Sequence, residues 1–241
     1  MKLVYKRLSQ SVILALGASF IVACGGGGSS TDTNTTADTT ITHNGVEYKT
    51  VTSPTTSRVW LDRNLGAARV CESKTDTACY GDYYQWGRPA DGHQDSNSAL
   101  SSTKINDATN TGSNAFVKGF ADWLNNGVDN NGAIRSANWL KTDGTSICPV
   151  GFRVPTKDEL NAEFSSIHNA DEAFNSFLKL PLSGFRNYNT GTLYQSSNYG
   201  YLWSSTPQGI YDGYSVYYNN SMLALSHTRR AHGFPVRCIK N

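Results

Sequence analysis

Five cysteines, five histidines and a dense run of tyrosines are the residues of this 241-residue chain whose types could do chemistry. Thiols offer nucleophiles, metal ligands or cross-links. Setting Cys24 aside leaves an even set: Cys71, Cys79, Cys148 and Cys238. In an oxidising compartment an even set implies bridges, and three pairings are open. The favoured one joins Cys71 to Cys79 across the polar turn 72–78, and Cys148 to Cys238. The second bridge would tie the middle of the domain to its last strand. By loop entropy the two contribute roughly 2.6 and 4.6 kcal/mol. Zinc competes for the same thiols, but no C-x-x-C spacing and no paired histidines support it. The histidines (His43, His93, His168, His227, His232) show no H-x-x-x-H spacing. His227 and His232 lie five apart in an expected strand and loop, which sends them to opposite sides. No Ser-His-Asp or nucleophile-elbow pattern is present. The chain reads as a non-enzyme.

Binding chemistry is better represented. Between residues 185 and 220 tyrosines alternate with asparagines, and the expected ligand contacts are Tyr199, Tyr211, Tyr214, Asn198 and Asn219. A tyrosine face stacks on the apolar face of a pyranose, and amides take its hydroxyls. Tyrosine also supplies large contact area at low entropy cost. In a strand over 211–218, period-two alternation sends about half of the tyrosines into the core. Trp203 reads as core. Asp129-Asn130-Asn131-Gly132 and Asp91-Gly92-His93-Gln94-Asp95 place oxygen ligands in glycine-containing loops. Asp129 and Asn131 are therefore candidate calcium ligands. Asx turns are the structural alternative.

Two further segments act before the domain begins. Lys2, Lys6 and Arg7 precede an uncharged, mostly apolar run from Val12 to Ala23. At ~1.5 Å per residue that run spans only ~18 Å of a ~30 Å hydrocarbon core, so it reads as an export signal and not as a permanent span. Residues 24–40 are Gly, Ser, Thr, Asp and Asn with almost nothing apolar, which is the composition of a tether. Without the signal the balance is 18 basic to 19 acidic residues. No basic stripe remains, which argues against a nucleic-acid partner.

Residues 41–241 are long enough for one sizeable core. Strands are expected at 46–51 and 58–62 around the turn Ser53-Pro54-Thr55-Thr56. A helix is expected over 114–124, from the helical spacing of Phe116, Phe120, Trp123 and Leu124. The strongest helix start is Thr156-Lys157-Asp158-Glu159, a capping box, with the helix running to about Ser165. A further helix is expected over 171–179. Strands are expected at 201–204, 211–218, 222–226 and 236–239. The stretches 64–112 and 125–150 show no regular pattern.

The junction Ile21-Val22-Ala23-Cys24 resembles the lipobox of bacterial lipoproteins, with isoleucine for the usual leucine and valine for the usual alanine or serine. The resemblance implies a diacylglyceryl group on Cys24, and Gly25 after it favours the outer membrane. Two or more acyl chains hold a protein on a membrane durably.

Farther along stand Val59-Trp60-Leu61-Asp62-Arg63-Asn64-Leu65-Gly66, Cys148-Pro149-Val150-Gly151-Phe152-Arg153-Val154-Pro155-Thr156, Leu180-Pro181-Leu182-Ser183-Gly184-Phe185-Arg186, Gly200-Tyr201-Leu202-Trp203-Ser204-Ser205-Thr206 and Gly233-Phe234-Pro235-Val236-Arg237-Cys238. In this order they resemble the Fibrobacter succinogenes major paralogous domain. More distantly they resemble the formylglycine-generating-enzyme type of C-type lectin fold. The resemblance implies an α+β domain with two or three short helices, a small twisted antiparallel sheet, long loops and neighbouring chain ends. It also implies a surface role, as an adhesion or binding module for polysaccharide. The alternative is a structural or display lipoprotein that meets a surface protein. Formylglycine-generating enzymes need a reactive cysteine pair near the C-terminus, where this chain has Cys238 alone. Arg153, Arg186 and Arg237 sit inside the motifs and are expected to bond loop carbonyls or acids.

Overall fold

The computed structural model describes residues 40–241, which fall in one compact unit. The expected signal 1–23, Cys24 and the tether up to residue 39 lie outside the described residues. The architecture is α+β and sheet-rich, with several small sheets instead of one. Strands β1 (Ile41–His43) and β2 (Val46–Tyr48) pair through the two-residue turn Asn44-Gly45, both at positive φ. Asn-Gly favours that hairpin turn because both residues tolerate φ > 0. The strand expected at 46–51 is thus split. Its second half, β3 (Thr50–Thr52), turns to pair with β4 (Val59–Leu61).

The last strand closes the domain. Strand β8 (Phe152–Arg153) and β4 flank β15 (Ile239–Lys240), giving a sheet ordered β3-β4-β15-β8. Cys238 immediately precedes β15 and is bonded to Cys148, while Cys71 is bonded to Cys79. The favoured pairing is the one present. Early strands β3 and β4 of the described residues share a sheet with the last, β15, and a disulfide staples the chain beside it.

A second sheet is ordered β10 (Leu193–Tyr194), β9 (Phe185–Arg186), β14 (Gly233–Phe234) and β5 (Tyr84–Gln85). The third is a meander of longer strands: β11 (Gly200–Gln208), β12 (Asp212–Tyr218) and β13 (Leu223–Arg229). Two short strands, β6 (Leu100–Ser101) and β7 (Phe116–Val117), pair in parallel.

Among the described residues three α-helices complete the fold. Helix α2 (Lys157–Glu163) begins at the expected capping box. The Thr156 hydroxyl accepts from the Glu159 amide, and the Glu159 carboxylate accepts from the Thr156 amide. Helix α3 (Ala170–Asn175) is capped by the Asn169 side chain. Both contribute to the apolar core that includes Leu160, Ala173, Leu202, Val216 and Tyr218 on one face of the meander. Helix α1 (Ala133–Trp139) lies in the stretch that showed no pattern. The helix expected over 114–124 is absent. Gly119 there adopts φ +85°, which breaks the helical path. Its apolar residues pack separately: Phe116 under the Arg186 guanidinium, Trp123 against the loop at Trp86.

All five tryptophans are fully buried. Each indole N–H finds an acceptor: Trp60 the Glu163 carboxylate, and Trp86, Trp123, Trp139 and Trp203 the carbonyls of Ser204, Trp86, Arg88 and Tyr84. A buried indole needs that partner to avoid an orphaned donor. The rings thereby pin irregular loops to the sheets.

Candidate functional site

Period-two alternation divides the meander into two faces. Leu202, Val216, Tyr218 and Leu225 point to α2 and α3. Tyr201, Trp203, Ser215, Tyr217, Ser226 and Thr228 point the other way, paired across the strands as Tyr201–Tyr217 and Trp203–Ser215–Ser226. On this second face lies a groove of about 230 Å³. Phe185 from β9, Phe234 from β14 and His232 complete its wall with Tyr201 and Tyr217.

The groove joins rings to unengaged hydroxyls. Tyr201 lies within 5.0 Å of the Phe185 ring and 4.6 Å of Phe234, centroid to centroid. Tyr199 and Tyr217 stand on either side of it at 6.2 and 6.4 Å, nearly parallel. Burial pushes the Tyr201 phenol well above its ordinary pKa, so it stays protonated and donates to the Gln195 side chain. His232 stacks on Phe234, and burial lowers its pKa to about 4. The wall is therefore neutral at physiological pH. Among the described residues no protein group hydrogen-bonds the hydroxyls of Ser215, Ser226 or Thr228, and no fully buried side-chain polar atom is left unpaired. These three hydroxyls keep access to the groove.

The expected contact residues are scattered by this geometry. Tyr199 stacks beside Tyr201 without lining the groove. Tyr214 is on the opposite face, beneath the Lys157 ammonium at 4.8 Å and edge-on to His227. Tyr211 lies at the β11–β12 turn, where its carbonyl accepts from the Arg230 amide. The Asn219 side chain accepts from the amides of Ser221 and Met222 and so closes the β12–β13 turn. Asn198 is exposed in the turn that begins at Gln195. None of the five lines the groove, and Tyr199 comes nearest through its ring contact with Tyr201. Phe185, His232, Ser215, Ser226 and Thr228 are groove residues that the sequence does not mark as ligand contacts. The alternation Gly213-Ser215-Tyr217 was the available signal for one strand.

The two acidic loops serve the fold. Both Asp129 oxygens are engaged: one accepts from the Ile134 amide, the other from the Arg135 amide and from its guanidinium at 3.0 Å. Asn131 accepts from the Ala133 amide. Asp129 thus caps α1 and clamps Arg135, and a calcium ion would have to displace that arginine. Among the described residues no group of three His, Cys, Asp or Glu side chains could hold a metal. In the other loop His93 is fully buried. Its Nδ1 pairs with Asp91 at 2.7 Å and its Nε2 accepts from the Gln85 amide. Burial lowers its pKa to about 4.

The motif arginines are architectural. Arg153 makes a two-pronged bond to Glu159, tying β8 to the first turn of α2. Arg186 gathers the carbonyls of His93, Asp95, Ser98 and Gly191. Arg237 is buried and donates to Asn64 and to the Leu61 and Leu178 carbonyls.

A sheet-rich α+β domain with an aromatic, hydroxyl-edged groove is the class these features define. No protein-family model matches the chain, and no curated protein or solved structure matches it significantly. No described helix is long and apolar enough to cross a membrane.

Proposed function

We propose that this chain is a non-catalytic binding module of the bacterial cell surface, and that the groove beside the meander takes a sugar ring of a polysaccharide. The observation that carries the reading is the pairing of Tyr201 and Tyr217 with three unengaged hydroxyls in one neutral groove. Rings cover the apolar face of a pyranose, and hydroxyls exchange hydrogen bonds with its rim. The resemblance of the sequence motifs to the Fibrobacter succinogenes major paralogous domain, and more distantly to a C-type lectin-like fold, supports this reading. The lipobox-like Cys24 supplies an outer-membrane anchor.

Retention of the full-length chain on cellulose and xylan, with and without calcium, tests the binding role. Retention that falls in Tyr217→Ala and persists in Tyr214→Ala supports the groove. Equal loss in both, or none in either, removes it. The anchor is tested separately: Cys24→Ser should release the protein from membranes.

A further inference from the structure

Buried carboxylates in this domain are closely matched. Asp62 meets Arg63, Asp91 meets Arg88 and His93, and Asp122 and Asp129 meet Arg135. Glu159 meets Arg58 and Arg153, while Glu163 accepts from Ser53, Thr56 and the Trp60 indole. Asp82, half-buried, breaks the pattern. Its carboxylate accepts one side-chain hydrogen bond, from the Tyr84 hydroxyl at 3.2 Å. No cation lies at ion-pair distance from it among the described residues.

This carboxylate faces a cavity of about 240 Å³ between the β1–β2 hairpin and the segment before β5. His43, Tyr48, Gly66, Tyr84 and Gln94 line it with Asp82, and no lysine or arginine does. Gly66 makes the arrangement possible: a Cβ there would fall 2.4 Å from the Asp82 carboxyl carbon, and its φ is +76°. The neighbouring charges do not neutralise the site. Arg63 is held by Asp62 and lies 4.7 Å from the Tyr48 ring. Asp95 adds negative potential, while burial is the larger influence and raises Asp82 to about 6. His43 is bonded to the Ile147 carbonyl.

The geometry points to Asp82 as the anchor of a binding site for a small organic ammonium. An unpaired carboxylate facing the cavity supplies the charge that an ammonium matches. A divalent metal lacks its ligands there, since one carboxylate stands alone. A saccharide hydroxyl leaves the charge unmatched. The site is separate from the sugar groove and stands or falls without it.

Titration of the full-length chain with n-butylammonium, using n-butanol as the neutral control, tests the assignment. Butylammonium should bind, and should drive the Asp82 carboxyl carbon shift to its ionised value. Affinity should rise about tenfold from pH 5 to pH 7 as the carboxylate ionises. Asp82→Asn, which removes a desolvated charge and keeps the shape, should lose at least tenfold in affinity. Nα-acetyllysinamide and D-glucosamine, run the same way, distinguish a peptide from an amino-sugar source of the ammonium. Equal binding of n-butanol, unchanged affinity in Asp82→Asn, or no carboxyl response in the parent protein would overturn the site.

Discussion

The loops around Trp86 and the groove beside β11–β13 are built from the same materials, aromatic rings and polar side chains, yet they treat their polar atoms in opposite ways. Around Trp86 everything is closed inward. Arg135 spans Asp122 and Asp129, and its guanidinium lies 5.4 Å from the Trp86 ring. Arg230 covers the same ring at 4.8 Å and collects the carbonyls of Gly209, Asp212 and Asn130. Long irregular segments become ordered because arginine forks satisfy their carbonyls where no sheet does. In the groove the rings are packed but the hydroxyls of Ser215, Ser226 and Thr228 are left open. Closed polarity holds the fold, and open polarity is left for a ligand.

The contrast can be broken from the closed side with the largest effect. Arg135→Ala removes the guanidinium from two buried carboxylates, leaving Asp122 a longer contact to Arg230 at 3.5 Å and Asp129 its backbone donors, and should cost about 3–5 kcal/mol of stability in urea denaturation. Saccharide retention by the fraction still folded should be unchanged. A loss near zero would mean the clamp is ornamental.

Acid acts on both regions, through His93 in the closed loops and His232 in the groove wall. His93 and His232 are both held near pKa 4, against an ordinary 6.5. Between those values the unfolded chain takes up protons the folded form refuses, so stability should fall as pH drops from about 6.5 to 4. Asp82, raised to about 6, works in the other direction over part of that range. Two histidines outweigh it. Melting curves across this range should show a net decline, shallower in His232→Phe.

On the open side the effects move from folding to binding. Tyr217→Ala should weaken saccharide binding by about 1–2 kcal/mol while stability falls less than the Arg135→Ala loss. Smallest of all, Ser226→Ala should reduce affinity by about 0.5–1.5 kcal/mol and leave the urea midpoint unchanged. A stability loss in Ser226→Ala would place its hydroxyl with the closed set.

The sequence revealed most where one local rule decides the outcome. The capping box at Thr156 and Glu159 fixed the start of α2, and the even set of four cysteines left three pairings, of which the favoured one is present. Alternating aromatics marked β11 and β12. It misled where spacing was fortuitous: Phe116, Phe120, Trp123 and Leu124 have helical spacing, but Gly119 at positive φ prevents the helix. It was silent at α1, whose cap comes from Asp129 in a segment that reads as an Asn-rich loop. The groove was half legible. The tyrosines stood out, but choosing Tyr214 over Tyr217 requires knowing which face of β12 meets α2. His232 and Phe185 join only through sheet pairing far along the chain.

The most direct measurement is a chemical-shift map of the chain titrated with a xylan or cellulose oligosaccharide. The account predicts saturable shifts at Tyr201, Tyr217, Ser226 and Thr228, with Tyr211 and Tyr214 silent. Shifts centred on Tyr214 and Lys157, or no shifts at any accessible concentration, would contradict it.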